Sequence, residues 1–376
     1  MTINLRKIEF FNREQEKEEI INILKTEPRV VNFIYGPINS GKSTLIENLI
    51  ENLPRDYIVF YINLRERMIS SYNDFIEILF EYEFEEEKKI KKAKELIPGV
   101  IEGVKMLSGI PISTKVFEKI FAEEKPKNAF RCIMKVIEEI KRKNKIPVLI
   151  IDEMQKIGDV KVNGLLIYEV FNFFIRLTKE KHLCHVFAIS SDSLFIETVY
   201  ADAKLSGRCR YLLVDDFDKE TAKKFLGKYG FSVKEQNIAY NYFGGKPLDL
   251  SNLVSLSGGS NIKKIADDGI SERMYHLRDM LDKLLYVKIN ISSDGENIPV
   301  KREKLIEVMR MFEDTGEIKD INISRAEKRY LINENILFID PIRNIIKPQS
   351  KLDLVAIRDV LDEVEKSGKT RRLNKR

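Results

Sequence analysis

The sequence predicts an α/β fold: a parallel sheet covered by helices on both faces, then a helical module, then a small unit of helices and a hairpin. Three observations carry this. Apolar runs with almost no polar alternation recur at Val30–Tyr35, Tyr57–Asn63, Pro147–Asp152, Val186–Ser190 and Tyr211–Val214, the pattern of strands buried on both faces. Helical patterns separate those runs, as parallel crossovers require. Beyond Val214 such runs stop, and amphipathic stretches lead to two short apolar runs near the C-terminus.

Taken in order, a helix is expected from Asn12-Arg13-Glu14 to Leu24, with Ile20, Ile21, Ile23 and Leu24 apolar. The strand Val30–Tyr35 leads into Gly36–Ser43, and Thr44–Leu53 forms a helix with Leu45, Ile46, Leu49 and Ile50 on one face. After Tyr57–Asn63 a long, mostly helical stretch is expected to about Asn144, broken at Pro98-Gly99 and around Gly109–Pro111. Its segment Glu85–Lys94 turns from acidic to basic, as an exposed helix face does. Asp218–Tyr229, Val233–Tyr242, Leu248–Leu256 and Glu272–Val287 read as helices, and Ser292-Ser293-Asp294-Gly295 as a polar break. The last unit reads helix (Lys301–Phe312), helix (Ser324–Asn333), strand (Leu337–Asp340), strand (Ile345–Lys347), helix (Ser350–Val364), the order of a winged helix.

Composition excludes several classes. The chain has 376 residues, 43% hydrophobic and 33% charged, which suits a globular protein and not a disordered one. Three cysteines cannot form a paired framework and point to a reducing compartment. No apolar run approaches a membrane span, and Met1–Phe11 carries Arg6, Lys7 and Glu9, so neither a membrane anchor nor a signal peptide is expected and a cytoplasmic location is. The net charge of +5 resides in the end of the chain: residues 366–376 hold six basic side chains and no acid, leaving the rest close to neutral. Such a tail is expected to be disordered and solvated, with weak support for nucleic-acid contact.

The chemistry concentrates in two segments. Gly36-Pro37-Ile38-Asn39-Ser40-Gly41-Lys42-Ser43 fits G-x-x-x-x-G-K-[ST], after a strand and before a helix. Glycines let backbone N–H groups turn inward around phosphate, and the helix N-terminus adds its partial positive charge. Lys42 is expected to bridge the β- and γ-phosphates and the Ser43 hydroxyl to bind Mg²⁺, with Thr44 beside it. Val148–Glu153 ends a buried strand in two acids: Asp152 is expected to hold the Mg²⁺ hydration shell, and Glu153 to polarise the attacking water as general base.

Other positions carry less. Ser190 and Ser191 end a strand, where they either sense the γ-phosphate or cap a turn. Arg208 or Arg210, before the fifth strand, could contact phosphate in its own chain or across a subunit boundary, and Arg208 is taken as the catalytic arginine. His182, Cys184 and His185 lie close together, but a strand puts Cys184 and His185 on opposite faces and no cysteine pair is near, so zinc is not expected.

Phe11-Asn12-Arg13-Glu14, Gly36–Ser43, Val148–Glu153, Ser190-Ser191, Gly207-Arg208 and Gly244–Pro247 follow one another as in the archaeal ATPases of the AAA+/STAND assemblage of P-loop NTPases. Asn335–Pro341 with Ile346–Ser350 resembles that family's closing winged-helix module, so the resemblance spans nearly the whole chain. It implies a P-loop NTPase sheet ordered 5-1-4-3-2, with Asp152 on the strand between the Val186–Ser190 and Tyr57–Asn63 strands. It implies an ATPase core over 1–215, a helical lid over 216–290, a winged helix over 291–365 and the basic tail over 366–376. It also implies that Arg13 and Glu14 lie near the adenine and that Pro247 packs over the nucleotide.

The expected function is a Mg-dependent ATPase that uses hydrolysis as a conformational switch. The alternatives are an ATP-regulated DNA-binding factor, with Arg325, Lys328 and Arg329 on a recognition helix and Arg343 in the wing, and an ADP-holding STAND-type signalling scaffold. Expected partners are ATP or ADP with Mg²⁺, a second copy of the chain and duplex DNA, with no membrane.

Overall fold

The computed structural model describes residues 8–66, 68–81, 106–112, 126–158, 160, 166–202, 205–256, 261–293 and 296–373. Glu85–Lys94, the Pro98-Gly99 break and Asp294-Gly295 lie outside them. The helices are α1 (Glu14–Leu24), α2 (Lys42–Asn52), α3 (Tyr72–Leu79), α4 (Pro126–Arg142), α5 (Leu166–Ile175), α6 (Ser193–Ala201), α7 (Lys219–Lys228), α8 (Val233–Phe243), α9 (Pro247–Leu256), α10 (Ile262–Tyr286), α11 (Arg302–Arg310), α12 (Arg325–Asn333) and α13 (Lys351–Leu373). The strands are β1 (Val31–Tyr35), β2 (Tyr57–Asn63), β3 (Phe80–Glu81), β4 (Met106–Leu107), β5 (Ile110–Pro111), β6 (Ile146–Asp152), β7 (His185–Ser190), β8 (Cys209–Leu213), β9 (Asn290–Ser293), β10 (Glu296–Pro299), β11 (Ile318–Lys319), β12 (Leu337–Asp340) and β13 (Ile345–Pro348).

Six parallel strands form the central sheet in the order β4-β2-β6-β7-β1-β8. The five expected strands stand in the order 5-1-4-3-2, and β4 adds an edge beside β2. Every residue of β1 and β7 is buried. Successive side chains feed opposite layers: Val31, Phe33 and Tyr35 join one apolar cluster, and Ile34 joins the other with Leu45, Ile46 and Leu49 of α2. That two-sided burial is why these strands lack alternation. Of the stretch between Asn63 and Asn144, residues 67, 82–105 and 113–125 lie outside the described residues. Among the described residues it contains the short parallel pair β3 and β5 as well as β4, between α3 and α4.

Beyond β8, α7 to α10 and the C-terminal elements share one apolar cluster that runs from Ala222 to Leu361. The expected lid and the expected closing unit are therefore packed into a single body. The closing unit has the expected order of helices and strands, with β11 added to form the antiparallel sheet β11-β13-β12. Among the described residues no helix is long and apolar enough to cross a membrane. The last helix, α13, is longer than the expected Ser350–Val364 and runs through Leu373. Leu352, Ile357, Val360 and Leu361 anchor that helix in the core, and no proline stops it before its end.

Candidate functional site

The loop Gly36–Gly41 lies at the C-terminal end of β1, and α2 begins at Lys42. Its turn needs residues that tolerate positive φ: Asn39 has φ 59° and Gly41, at the N-cap of α2, has φ 90°. Gly36 is required for a different reason. A Cβ there would stand 2.1 Å from the carbonyl oxygen of Val214, so a side chain would push the loop off β8's end. Lys42 is folded into the loop, where its Nζ donates to the carbonyls of Gly36 at 3.0 Å and Pro37 at 2.8 Å. Burial, and then the charge of Lys246, hold its pKa down to about 7. An ammonium so poorly compensated is primed to take an anionic partner.

The two acids stand across from the loop because β6 ends beside β2, with Asp152 opposite Asn63. Ser43 donates its hydroxyl to Asp152 Oδ2 at 2.7 Å, and Tyr61 donates to the same oxygen at 2.8 Å. The other oxygen, Oδ1, accepts the Glu153 N–H at 2.9 Å. A serine hydroxyl and a carboxylate facing each other at the phosphate loop are hard oxygen donors and fit Mg²⁺, whose remaining positions water and phosphate oxygens normally fill.

Glu153 lies in the left-handed region at φ 60°, a costly conformation for a non-glycine residue, and it turns the chain into a short 3₁₀ helix. Its carboxylate is nearly buried and held by two partners. Gln155 Nε2 donates to Oε2 at 2.8 Å, and Arg65 pairs with Oε1 at 2.9 Å. Gln155 in turn accepts the Ser190 hydroxyl at 2.8 Å, so the serine at the end of β7 is wired to Glu153 through one amide.

A cavity of about 590 Å³ runs along this line of groups. One part is polar and lined by Ile38 to Thr44, Arg65, Glu153 and Ser191. The other is apolar, walled by Ile8, Phe10, Phe11, Phe217, Phe225, Pro247 and Leu248. Arg13 joins the two parts. Its guanidinium donates to the Ser40 carbonyl at 2.6 Å and lies 4.7 Å over the Phe217 ring. Phe217 is itself fixed by the lid: its N–H donates to the Gly245 carbonyl at 2.9 Å, and a Cβ on Gly245 would meet the Phe217 carbonyl oxygen at 1.7 Å.

The structure thus brings together Arg13, Ile38, Asn39, Ser40, Gly41, Lys42, Ser43, Thr44, Asp152, Glu153 and Pro247. Gly36 and Pro37 stand behind the wall, as acceptors for Lys42. Glu14 does not join it and pairs with Lys17 at 2.9 Å, with its carboxylate in solvent. Arg208, expected to act in its own chain or across a subunit boundary, lies at the other end of the sheet from the loop. Its carbonyl accepts the N–H of Val31 at 3.0 Å, where β1 begins, whereas the loop follows the end of β1. A five-residue strand, roughly 15 Å, separates them, so Arg208 cannot serve the loop of its own chain. Arg210 borders a separate surface hollow beside α1.

The recognition-helix expectation also changes. Lys328 is buried between Glu197 at 3.1 Å and Asp320 at 2.8 Å, and Arg329 pairs with Glu197 at 3.8 Å, so α12 docks on α6 of the core. Arg343 pairs with Asp340 at 3.6 Å. Residues that sequence reasoning missed are Arg65, Tyr61, Gln155 and Gln349. Only Arg65, two residues past a strand end, had a positional signal.

Two family models match the chain. One, described as an ATPase domain predominantly from Archaea, matches residues 10–253. The other, described as uncharacterized ATP-binding protein MJ1010-like, C-terminal domain, matches residues 263–361. An uncharacterized ATP-binding protein of Methanocaldococcus jannaschii is 48% identical over 365 residues, covering 94% of this chain and 100% of the relative. Another, of Pyrococcus abyssi, is 43% identical over 358 residues, covering 95% of this chain and 100% of the relative. Among solved structures, a Walker-type ATPase of Pyrococcus abyssi matches with a TM-score of 0.59 at 15% identity, over 94% of this chain and 97% of that one. That likeness is one of fold.

Proposed function

The chain belongs to the family described as an ATPase domain predominantly from Archaea, and from that premise we propose that it hydrolyses Mg-ATP at Gly36–Ser43 and uses the cycle to move its C-terminal unit. It is an ATP-binding protein of that family. The observation that carries the hydrolytic reading is the meeting of Lys42, Ser43, Asp152 and Glu153 at one end of the sheet, with Glu153 lining the polar half of the cavity.

In this reading the loop amides and Lys42 hold the phosphates, and the aromatic wall around Phe217 takes the adenine. Ser43 and Asp152 would hold Mg²⁺, whose charge offsets that of the β- and γ-phosphates. Glu153 takes a proton from a water whose oxygen forms a bond to the γ-phosphorus. The bond from that phosphorus to the bridging oxygen breaks, and ADP leaves with the electron pair. Gln155 and Ser190 keep the Glu153 carboxylate aimed during the step.

The switch reading rests on contacts between the C-terminal unit and the loop strand. Tyr35 donates to Asp340 at 2.9 Å, and Lys347 pairs with Asp215 at 2.6 Å. Tyr35 also stacks on Phe338, whose buried ring joins the apolar cluster of the sheet, so polar and apolar contacts meet at the root of the phosphate loop. An ADP-holding scaffold would use the same contacts with slow turnover. Contact with DNA through α12 would require the C-terminal unit to leave α6, because Lys328 and Arg329 are spent on Glu197 and Asp320. An arginine-finger role for Arg208 would require a second copy of the chain. An ATPase assay with and without duplex DNA tests these readings together: turnover supports the first, and stimulation by DNA supports the second. Tight ADP retention with slow turnover supports the scaffold, and absence of nucleotide binding overturns all three.

A further inference from the structure

Arg208 is too far from the phosphate loop of its own chain, which leaves open what balances charge at the γ-phosphate end of the cavity. The sheet places a different arginine there. Leu64 donates its N–H to the Asp152 carbonyl at 3.1 Å, and the Arg65 N–H donates to Asn63 Oδ1 at 3.0 Å. The chain leaving β2 is thereby turned toward the acid pair, and Arg65 reaches Glu153 at 2.9 Å.

The two partners differ in freedom. The Glu153 side chain is 6% exposed, and the Arg65 side chain is 63% exposed. Glu153 keeps its bond from Gln155 if Arg65 leaves, so the carboxylate stays aimed while the guanidinium swings. Both residues line the 590 Å³ cavity and also a second one of about 410 Å³, with which it shares Ile38 and Ser191 as well. The far wall of that second cavity is Asn333, Asn335 and Gln349 of the same chain's C-terminal unit.

We propose that Arg65 is the catalytic arginine of this site, acting within its own chain: it pairs with Glu153 when no γ-phosphate is present and transfers to the γ-phosphate of ATP. This rests on the ATP-hydrolysing reading above. A guanidinium suits the task, since two of its N–H groups can meet two phosphate oxygens at once. The transfer does two things. It stabilises charge on the γ-phosphoryl group as its bond to ADP breaks, and it frees a Glu153 oxygen to accept the proton of the attacking water. ADP has no γ-phosphate, so Arg65 returns to Glu153 once phosphate has left. The residue thereby distinguishes triphosphate from diphosphate.

The test uses the full chain as wild type, Arg65→Ala and Arg65→Lys. It measures Mg-ATP turnover together with the affinities for ADP and for a non-hydrolysable ATP analogue. Arg65→Ala should lose at least about a hundredfold in turnover and about tenfold in affinity for the analogue, with ADP affinity unchanged, and Arg65→Lys should recover part of both. Unchanged turnover in Arg65→Ala, or equal loss of ADP and analogue affinity, would overturn the proposal. Should the wild type bind the analogue without turnover, the ratio of the two affinities alone decides. Should the wild type bind neither nucleotide, the ATP reading falls and the proposal with it.

Discussion

The side-chain carbonyl of Gln349 accepts the backbone N–H of Ile38 at 3.0 Å, so the C-terminal unit touches the phosphate loop at its third residue. The carbonyl of the same Ile38 accepts from Lys246 Nζ at 2.9 Å, and Lys246 pairs with Asp216 at 2.9 Å. One residue of the loop is thus gripped by the lid on one side and by the strand-to-helix corner after β13 on the other. The amide of Gln349 is itself oriented, because its Nε2 donates to the Leu337 carbonyl at 3.1 Å. A displacement of the loop by phosphate has a direct mechanical path to β12 and β13.

Gln349→Leu removes that acceptor and leaves the partly buried Ile38 N–H without one, at a cost of about 1–3 kcal/mol. The expected outcome is a lower melting temperature and faster hydrogen exchange at Ile38, with exchange in β6 unchanged. Unaltered exchange at Ile38 would show that the contact does not restrain the loop.

Gly245→Ala places a methyl group against the Phe217 backbone, where its Cβ would lie 1.7 Å from the Phe217 carbonyl oxygen. Phe217 must move, and with it the ring under Arg13. We expect destabilisation of roughly 2–4 kcal/mol by chemical denaturation, and weaker binding of adenosine nucleotides than of inorganic triphosphate. Equal loss for both ligands would place the damage in the phosphate loop instead of the base wall.

His185 gives a pH signature. Burial first, and the charge of Lys141 second, lower its pKa from 6.5 to about 4. The unfolded chain therefore binds the proton first as pH falls. Stability from this group is fully present above pH 6.5 and declines toward pH 4, by ~3 kcal/mol in all. Denaturant melts at pH 7 and pH 4.5 should show a larger loss in the wild type than in His185→Asn. Parallel losses would rule out His185 as the source.

The phosphate loop and the acid pair were legible because each is a local string whose chemistry is fixed by spacing. The sheet order followed from the resemblance those strings carry. Arg65, Tyr61 and Gln155 were not legible, since their partners are set by which strands lie side by side: Tyr61 meets Asp152 only because β2 pairs with β6. Gln349 needs the docking of a unit more than 300 residues from the loop. For Arg208 the sequence held a signal that separates its two alternatives, its own chain or a neighbouring one. A residue that precedes a parallel strand sits at the edge of the sheet opposite the loops that follow the strands. The cations of α12 looked available on its polar face because the helix pattern says nothing of Glu197, which arrives from α6.

The most direct test compares wild type with Glu153→Gln in Mg-ATP binding and in phosphate release, with Lys42→Ala as the binding-deficient control. The amide keeps the size and polarity of Glu153 and loses its basicity. The account predicts that Glu153→Gln binds ATP as the wild type does and loses turnover by about a hundredfold or more, while Lys42→Ala does not bind. Equal turnover in wild type and Glu153→Gln, or undiminished ATP binding in Lys42→Ala, would contradict it.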